Sequence, residues 1–185
     1  MHEKTDEELY KIFLHTGREE ALGILMDRHS ASLTLFLYNY VNRMEDAQEL
    51  MLDAFAEVAA GPTLFSGRSS FKTWLFSIGK NLAKMHLRKR RFVTESLDEF
   101  PEKAAEEGSF PEEMFLEQER NRQLYRALSF VKEEYRMVLM LVYFEDMSYE
   151  EAARVMGKSK KQIYHLIERG KKALKEQLEK AGTEL

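Results

Sequence analysis

Ser148-Tyr149-Glu150-Glu151-Ala152-Ala153-Arg154-Val155-Met156-Gly157 is followed after one residue by Ser159-Lys160-Lys161-Gln162-Ile163-Tyr164-His165-Leu166-Ile167. Ser148 with Glu151 three positions on is a capping box, the reciprocal pairing of a hydroxyl and a carboxylate that starts a helix. Gly157 supplies the left-handed residue that stops one. Ser159 with Gln162 is a second capping box. The helix it opens runs to about Lys180, with Ile163, Ile167, Leu174 and Leu178 on its inward face. A short capped helix, a tight glycine turn and a second capped helix make a helix-turn-helix. In that motif the start of the second helix enters the major groove, and its positive dipole end suits phosphate. Lys158, Ser159, Lys160, Lys161, Gln162, Tyr164, His165 and Arg169 cluster there and are the candidate DNA-binding residues of this half. An αα-hairpin that binds nothing is the competing reading, and the three lysines around the turn weigh against it.

Working toward the N-terminus, helical periodicity continues. Tyr135, Val138, Leu139 and Val142 mark one helix, and a further helix is expected from near Glu112 through Leu124, Leu128 and Val131. Residues 94–111 contain Pro101, Gly108, Pro111 and few large apolar side chains, and read as a flexible tether. Before it, Phe71, Trp74, Leu75, Ile78, Leu82 and Met85 form one apolar stripe. Ala47, Leu50, Met51, Ala54, Phe55 and Val58 form another, stopped by Gly61-Pro62. Leu22, Leu25, Met26, His29, Leu33, Phe36, Leu37 and Tyr40 belong to a long amphipathic helix. Thr5-Asp6-Glu7-Glu8 opens a first short helix, with Leu9, Ile12 and Phe13 inward, that ends at Gly17. No strand alternation and no repeat is seen. The expected fold is all-α, with two helical domains, 1–93 and 112–185, joined by an acidic flexible linker over 94–111.

The chain has 185 residues and a net charge of −4, which conceals an uneven distribution. Residues 94–119 carry a net of −9 between flanks of +1 and +4. From Val58 to Thr94 there are eight Lys and Arg and no acid. An acid-free basic stretch beside an acid-rich one reads as a polyanion-binding surface and a solvated linker. At about 100° per residue, Lys80, Lys84, Arg88 and Arg91 fall opposite Ile78, with Asn81 at the edge, so a basic ridge is expected to point outward. Arg68 and Lys72 precede it. Trp74, Phe71 and Phe76 lie nearby and could stack unpaired bases, the alternative being that they are core. Glu45, Glu49, Asp53 and Glu57 recur every fourth residue and line one helix face. That face is either simply solvated or a match for a basic partner surface.

Composition and motifs exclude much else. The chain has no cysteine, so disulfides, thiol catalysis and cysteine-ligated zinc are out. The five histidines have no ligand spacing, and Walker, GxGxxG, GxSxG and HExxH patterns are absent. Asp27-Arg28-His29 invites a catalytic reading, but His29 sits on the apolar stripe and is expected in the core. No catalytic residue, metal or cofactor is expected, and the chain is not read as an enzyme. No apolar run approaches the roughly 18 residues of a membrane span. The first residues lack a signal-peptide shape.

Together these segments resemble the sigma-70 family of bacterial transcription initiation factors, in particular its extracytoplasmic-function (ECF) group. Glu45-Asp46-Ala47-Gln48-Glu49-Leu50-Met51-Leu52-Asp53-Ala54-Phe55 resembles the family's region 2.2. By that resemblance Glu45, Asp46, Glu49, Leu50, Asp53 and Glu57 would bind the clamp helices of the polymerase's largest subunit. Phe71–Ala83 resembles regions 2.3 and 2.4, which melt and read the −10 element. The residues implied there are Arg68, Lys72, Trp74, Lys80, Asn81, Lys84, Arg88 and Arg91, with the loop 61–70 capturing a flipped base. Val138–Gly157 and the following helix resemble region 4, which reads the −35 element and meets the flap of the second subunit. Leu52 stands where the family usually has Gln, and Gln162–Ile167 replaces a recognition helix that often reads Thr-Val-Lys-Ser-Arg-Leu.

The resemblance implies a cytoplasmic bacterial sigma factor that binds core RNA polymerase and promoter DNA, with a possible anti-sigma factor and no membrane insertion. The acidic tether would thread toward the RNA exit path. Two other classes fit the residues: a stand-alone helix-turn-helix regulator, and an interaction module that mimics a sigma domain.

Overall fold

The computed structural model describes residues 1, 3–61, 65–97 and 119–180, and divides the chain into two units, 1–93 and 94–185. Among the described residues every regular element is helical.

In the first unit, α1 spans Asp6–Thr16 and opens on the expected capping box: Glu8 N–H donates to Thr5 Oγ1 (3.3 Å) and Thr5 N–H to Glu8 Oε2 (2.9 Å). Helix α2 spans Glu19–Val41 and is central to the unit, packing against both α1 and α3. Its C-terminal third is buried almost all round, at Leu33, Thr34, Phe36, Leu37, Tyr38, Asn39 and Val41, as a helix enclosed by neighbours must be. It ends at Asn42, which takes the left-handed cap conformation. Helix α3 spans Met44–Ala60 and buries Ala47, Leu50, Ala54, Phe55 and Val58, the expected stripe.

Helix α4 spans Phe71–Leu97. It runs past Thr94 into the stretch read as tether, because no proline or glycine follows Gly79 until Pro101. From position 98 the expected tether lies outside the described residues, and so does the expected helix start near Glu112. Gly79 lets α4 sink onto α2: a Cβ there would stand 3.0 Å from Leu33 Cδ1 and 3.3 Å from Leu37 Cδ2. Of the apolar stripe, Phe71, Leu75 and Ile78 are buried and Trp74 and Leu82 half-buried, but Met85 is 58% exposed, against the expectation that it faces inward. Past Ala83 the helix lies beside the outer edge of α3, where less structure covers it.

In the second unit, α5 spans Glu119–Ser129, α6 Glu133–Leu139, α7 Tyr149–Met156 and α8 Lys160–Lys180. Between α6 and α7 the chain makes a π-helical turn, Met140–Phe144, closed by Glu145 N–H on Met140 C=O. Met137 to Leu141 are all buried, five in succession. Val142 is half-buried and Tyr143 and Phe144 are exposed, so burial ends within the turn. Helix α8 packs on α5, α6 and α7. Gly170 brings it close to α6, with a Cβ position 3.2 Å from Leu139 Cγ and 3.3 Å from Tyr135 Cβ.

Candidate nucleic-acid and polymerase surfaces

The helix-turn-helix forms as its sequence dictates. Ser148 and Glu151 make the first capping box. Gly157 has φ 65°, a conformation a Cβ would strain, and Lys158 N–H closes the turn on Ala153 C=O at 3.0 Å. At the second box Gln162 N–H donates to Ser159 Oγ (3.2 Å) and Ser159 N–H donates to Gln162 Oε1 (2.8 Å). This sets the start of α8. Ile163 and Ile167 hold it down, fully buried, while Lys160, Lys161, Gln162, Tyr164, His165 and Arg169 are exposed.

Its charges are not equivalent. Lys158 Nζ is 2.9 Å from Glu134 Oε1, and Lys160 pairs with Glu150. These hydrogen bonds hold both carboxyls below the usual carboxylate range. Lys161 and Arg169 make no ion pair among the described residues. Gln162 is one of the expected DNA-binding residues, and its side-chain carbonyl is occupied by the cap. Bidentate reading of adenine needs both carbonyl and amide, so Gln162 would have to leave the box to do it. Tyr164 is 52% exposed, and its ring meets that of His165 edge-on at 5.9 Å.

On α4, Asn81, Lys84, Arg88 and Arg91 are exposed, but Lys80 is 7% exposed and does not belong to an outward ridge. It follows Gly79 directly, where α4 closely approaches Leu33 and Leu37 of α2. Arg68 is exposed and Lys72 half-buried. Phe71 and Phe76 are fully buried, which settles them as core. Trp74 is half-buried in a cluster with Tyr10 (5.3 Å), Phe65 (5.3 Å) and Phe71 (5.7 Å). An aromatic edge with Arg68 and Lys72 close in sequence has the chemistry to hold an unpaired base.

On α3, Glu45, Glu49 and Asp53 are exposed and Glu57 half-buried. Two expected members of this surface are placed elsewhere. Leu50 is 5% exposed and part of the core. Asp46 turns toward α4, where Oδ2 accepts from Arg90 Nη1 at 3.3 Å; His86 Nε2 lies equally near without hydrogen-bond geometry. A residue the charge stripe overlooked belongs to the surface: Leu52, 54% exposed between Glu49 and Asp53. The face thus carries one apolar side chain among its carboxylates.

His29 is buried, with Nε2 2.6 Å from Asp6 Oδ2, and Arg28 donates to the other oxygen of the same carboxylate at 2.7 Å. Burial alone would raise the Asp6 carboxyl, but the hydrogen bonds and charges of His29 and Arg28 hold it below its ordinary value. Asp27-Arg28-His29 is thus part of a structural network. No group of potential metal ligands assembles among the described residues.

With both surfaces placed, comparison with known proteins gives one answer. The family model for sigma-70 region 2 matches residues 25–93, and that for sigma-70 region 4 matches 121–174. The RNA polymerase sigma-H factor of Pseudomonas aeruginosa is 30% identical over 177 residues, covering 89% of this chain and 92% of the relative. The chain belongs to the sigma-70 family. Within the family, the ECF RNA polymerase sigma factor SigX of Bacillus subtilis is 27% identical over 90% of this chain and 88% of its own length. Two solved structures share the fold. They are the sigma factor RpoE of Bartonella quintana in complex with the anti-sigma factor NepR (24% identity, 83% of this chain and 94% of that one, TM-score 0.65), and CnrH in complex with the cytosolic domain of CnrY (23%, 95% and 98%, TM-score 0.63). The chain is a sigma factor of the ECF group that directs transcription initiation, and the helix-turn-helix is its region 4 rather than a stand-alone regulator. No described helix is long and apolar enough to cross a membrane.

Proposed function

We propose that the unit comprising residues 1–93 docks on the clamp helices of the polymerase's largest subunit and opens the −10 element, while the unit ending in α8 reads the −35 element. The two are linked through an acidic tether over 94–111. The observation that carries this reading is the separation of surfaces on the first unit. The acid face of α3 (Glu45, Glu49, Asp53, with Leu52) and the basic face of α4 (Lys84, Arg88, Arg91) are both exposed, on different helices. One surface repels nucleic acid and the other attracts it, so a protein partner and a DNA partner can be held together.

On the second unit, Phe130, Tyr143 and Phe144 are exposed to 61%, 49% and 36%, and carry no charge to offer a phosphate. They fit the flap of the second polymerase subunit. The Bartonella quintana sigma factor RpoE was solved with an anti-sigma factor, and a partner of that kind would act here by covering the polymerase-facing surfaces. The site of action is the cytoplasm, and all bond-making belongs to the polymerase.

The test is stoichiometric co-elution with bacterial core RNA polymerase at moderate salt. Replacing Glu49 and Asp53 by lysine is expected to abolish co-elution while leaving the helical circular dichroism intact. Undiminished binding by that variant would remove the role of the α3 face.

A further inference from the structure

Helix α1 lies outside the region 2 match, which begins at residue 25. Its first two turns are nonetheless tied to both α2 and α4. Asp6 accepts from Arg28 Nη1 at 2.7 Å and from His29 Nε2 at 2.6 Å, which fixes α1 to α2. The next residue, Glu7, reaches the other way: its Oε1 accepts the N–H of Phe71 at 2.9 Å. That N–H is one of the donors that the start of α4 leaves without an intrahelical partner, and a carboxylate there also complements the helix dipole. Ser70 Oγ serves the next turn, accepting from Thr73 N–H at 3.3 Å. One turn further along α1, Tyr10 is 1% exposed, and its ring stands 6.0 Å from Phe65, 5.5 Å from Phe71 and 5.3 Å from Trp74.

A helix retained only for its apolar face would need Leu9 and Tyr10 and no more. Here a charged residue acts at the position where the loop becomes α4, and an aromatic residue backs the half-buried rings of Phe65 and Trp74. Extruding a stacked base is uphill, and stacking on a protein ring offsets it. A ring that must first be ordered returns less of that energy than one already held in place.

We infer that α1 is a positioning element for capture of the unpaired −10 strand: Glu7 through the start of α4, and Tyr10 through Phe65 and Trp74, fix the aromatic edge on which a base stacks. The inference rests on the −10 role proposed above for the first unit, with Trp74 as its stacking ring. Glu7 touches no nucleotide. Its contribution is to hold Trp74 and the segment before Phe71 in the geometry the melted strand meets.

The experiment uses holoenzyme assembled from full-length chain and core polymerase, on the promoter duplex that wild-type holoenzyme selects from a randomised library. Glu7→Ala is expected to slow open-complex formation about tenfold, the effect of one lost hydrogen bond to a charged group. It is expected to act at wild-type rate on the same promoter carrying mismatches across the −10 region, and to co-elute with core normally. Opening of the duplex at wild-type rate, equal slowing on the mismatched template, or loss of core binding would each overturn the inference. If Glu7→Ala does not fold, Glu7→Gln carries the test, because it keeps the acceptor and loses only the charge. It should slow duplex opening about threefold and leave the mismatched template unaffected, with the same outcomes counting against it. Full-rate opening by Trp74→Ala would instead overturn the −10 assignment itself, which separates the two failures.

Discussion

Three glycines inside helices of this chain meet three different surroundings, so one substitution should give three results. Gly23 of α2 has nothing within 4 Å of where a Cβ would stand. Gly→Ala there gains only helix propensity, about 1 kcal/mol. For a unit of this size that raises the unfolding midpoint by roughly 4–8 °C. Gly79→Ala receives the same gain but drives its methyl to 3.0 Å from Leu33 and 3.3 Å from Leu37. Both leucines are fully buried and have nowhere to turn. Overpacking of this kind costs about 1–3 kcal/mol, so the net is destabilisation by about 1 kcal/mol. Gly170→Ala meets Leu139 Cγ and Tyr135 Cβ, atoms too near the backbone to rotate aside, and should lose at least as much. The assay is built into the chain, whose one tryptophan, Trp74, lies in the first unit. Tryptophan fluorescence should report a raised midpoint for Gly23→Ala, a lowered one for Gly79→Ala and no change for Gly170→Ala. Far-UV circular dichroism should show the last as an earlier loss of the second unit. A midpoint for Gly79→Ala as high as that for Gly23→Ala would mean that α4 is not seated on α2 at residue 79. The placement of the whole basic face of α4 would fall with it.

Two further outcomes follow from the capping and ion-pair geometry. The Asp6 carboxyl is held below its ordinary value, so it adds stability above its unfolded pKa of about 3.8 and loses it as pH falls through the lower folded value. Asp6→Asn should therefore lower the fluorescence midpoint at neutral pH and flatten its decline below about pH 4, measured as midpoint against pH for both proteins. Ser159→Ala removes the N-cap of α8 and should destabilise the second unit by about 1 kcal/mol, read as a lower circular dichroism midpoint with the fluorescence transition unmoved.

Most helix starts and stops were legible because the chain writes them in local chemistry. Thr5 with Glu8, Ser148 with Glu151 and Ser159 with Gln162 form the boxes their spacing announces. Where the outcome depended on distant contacts, reading by periodicity failed. Lys80 lies opposite Ile78 on a helical wheel and is buried all the same, one residue past the close approach of α4 to α2 at Gly79. A wheel contains no information about how deep a helix sits. Met85 continues the stripe and is exposed, because little covers α4 beyond Ala83. The π turn at Met140–Phe144 was not legible: the unbroken apolar run Met137–Phe144 reads as one buried stretch, yet burial ends at Leu141 and Tyr143 and Phe144 are exposed. Asp46 and Glu49 are equally acidic neighbours on α3. Only the fold distinguishes the one that meets Arg90 from the one left exposed.

The same distinction governs the DNA-facing helix. Lys158 and Lys160 look like two of its strongest phosphate ligands, but each is matched by a glutamate of its own unit. Such exposed pairs are weak and can open, yet a paired lysine brings less net charge to a phosphate than an isolated one. The effective contacts of the free second unit therefore reduce to Lys161, Arg169 and little more. At about 0.9 per neutralised phosphate, these two contacts add only about −2 to the slope of log affinity against log salt that the free chain shows on duplex DNA. Lys161→Ala should reduce its magnitude by nearly one, and Lys160→Ala by much less. Weak binding of this kind suits a protein that is to act only when a polymerase holds both of its units. Fixing two weak sites at a set spacing turns the second contact into an intramolecular one, with an effective concentration reaching millimolar. Promoter occupancy then tracks the holoenzyme and not the free chain. A free chain whose slope matched that of its holoenzyme would break this argument, because its units would then be grasping DNA without the polymerase.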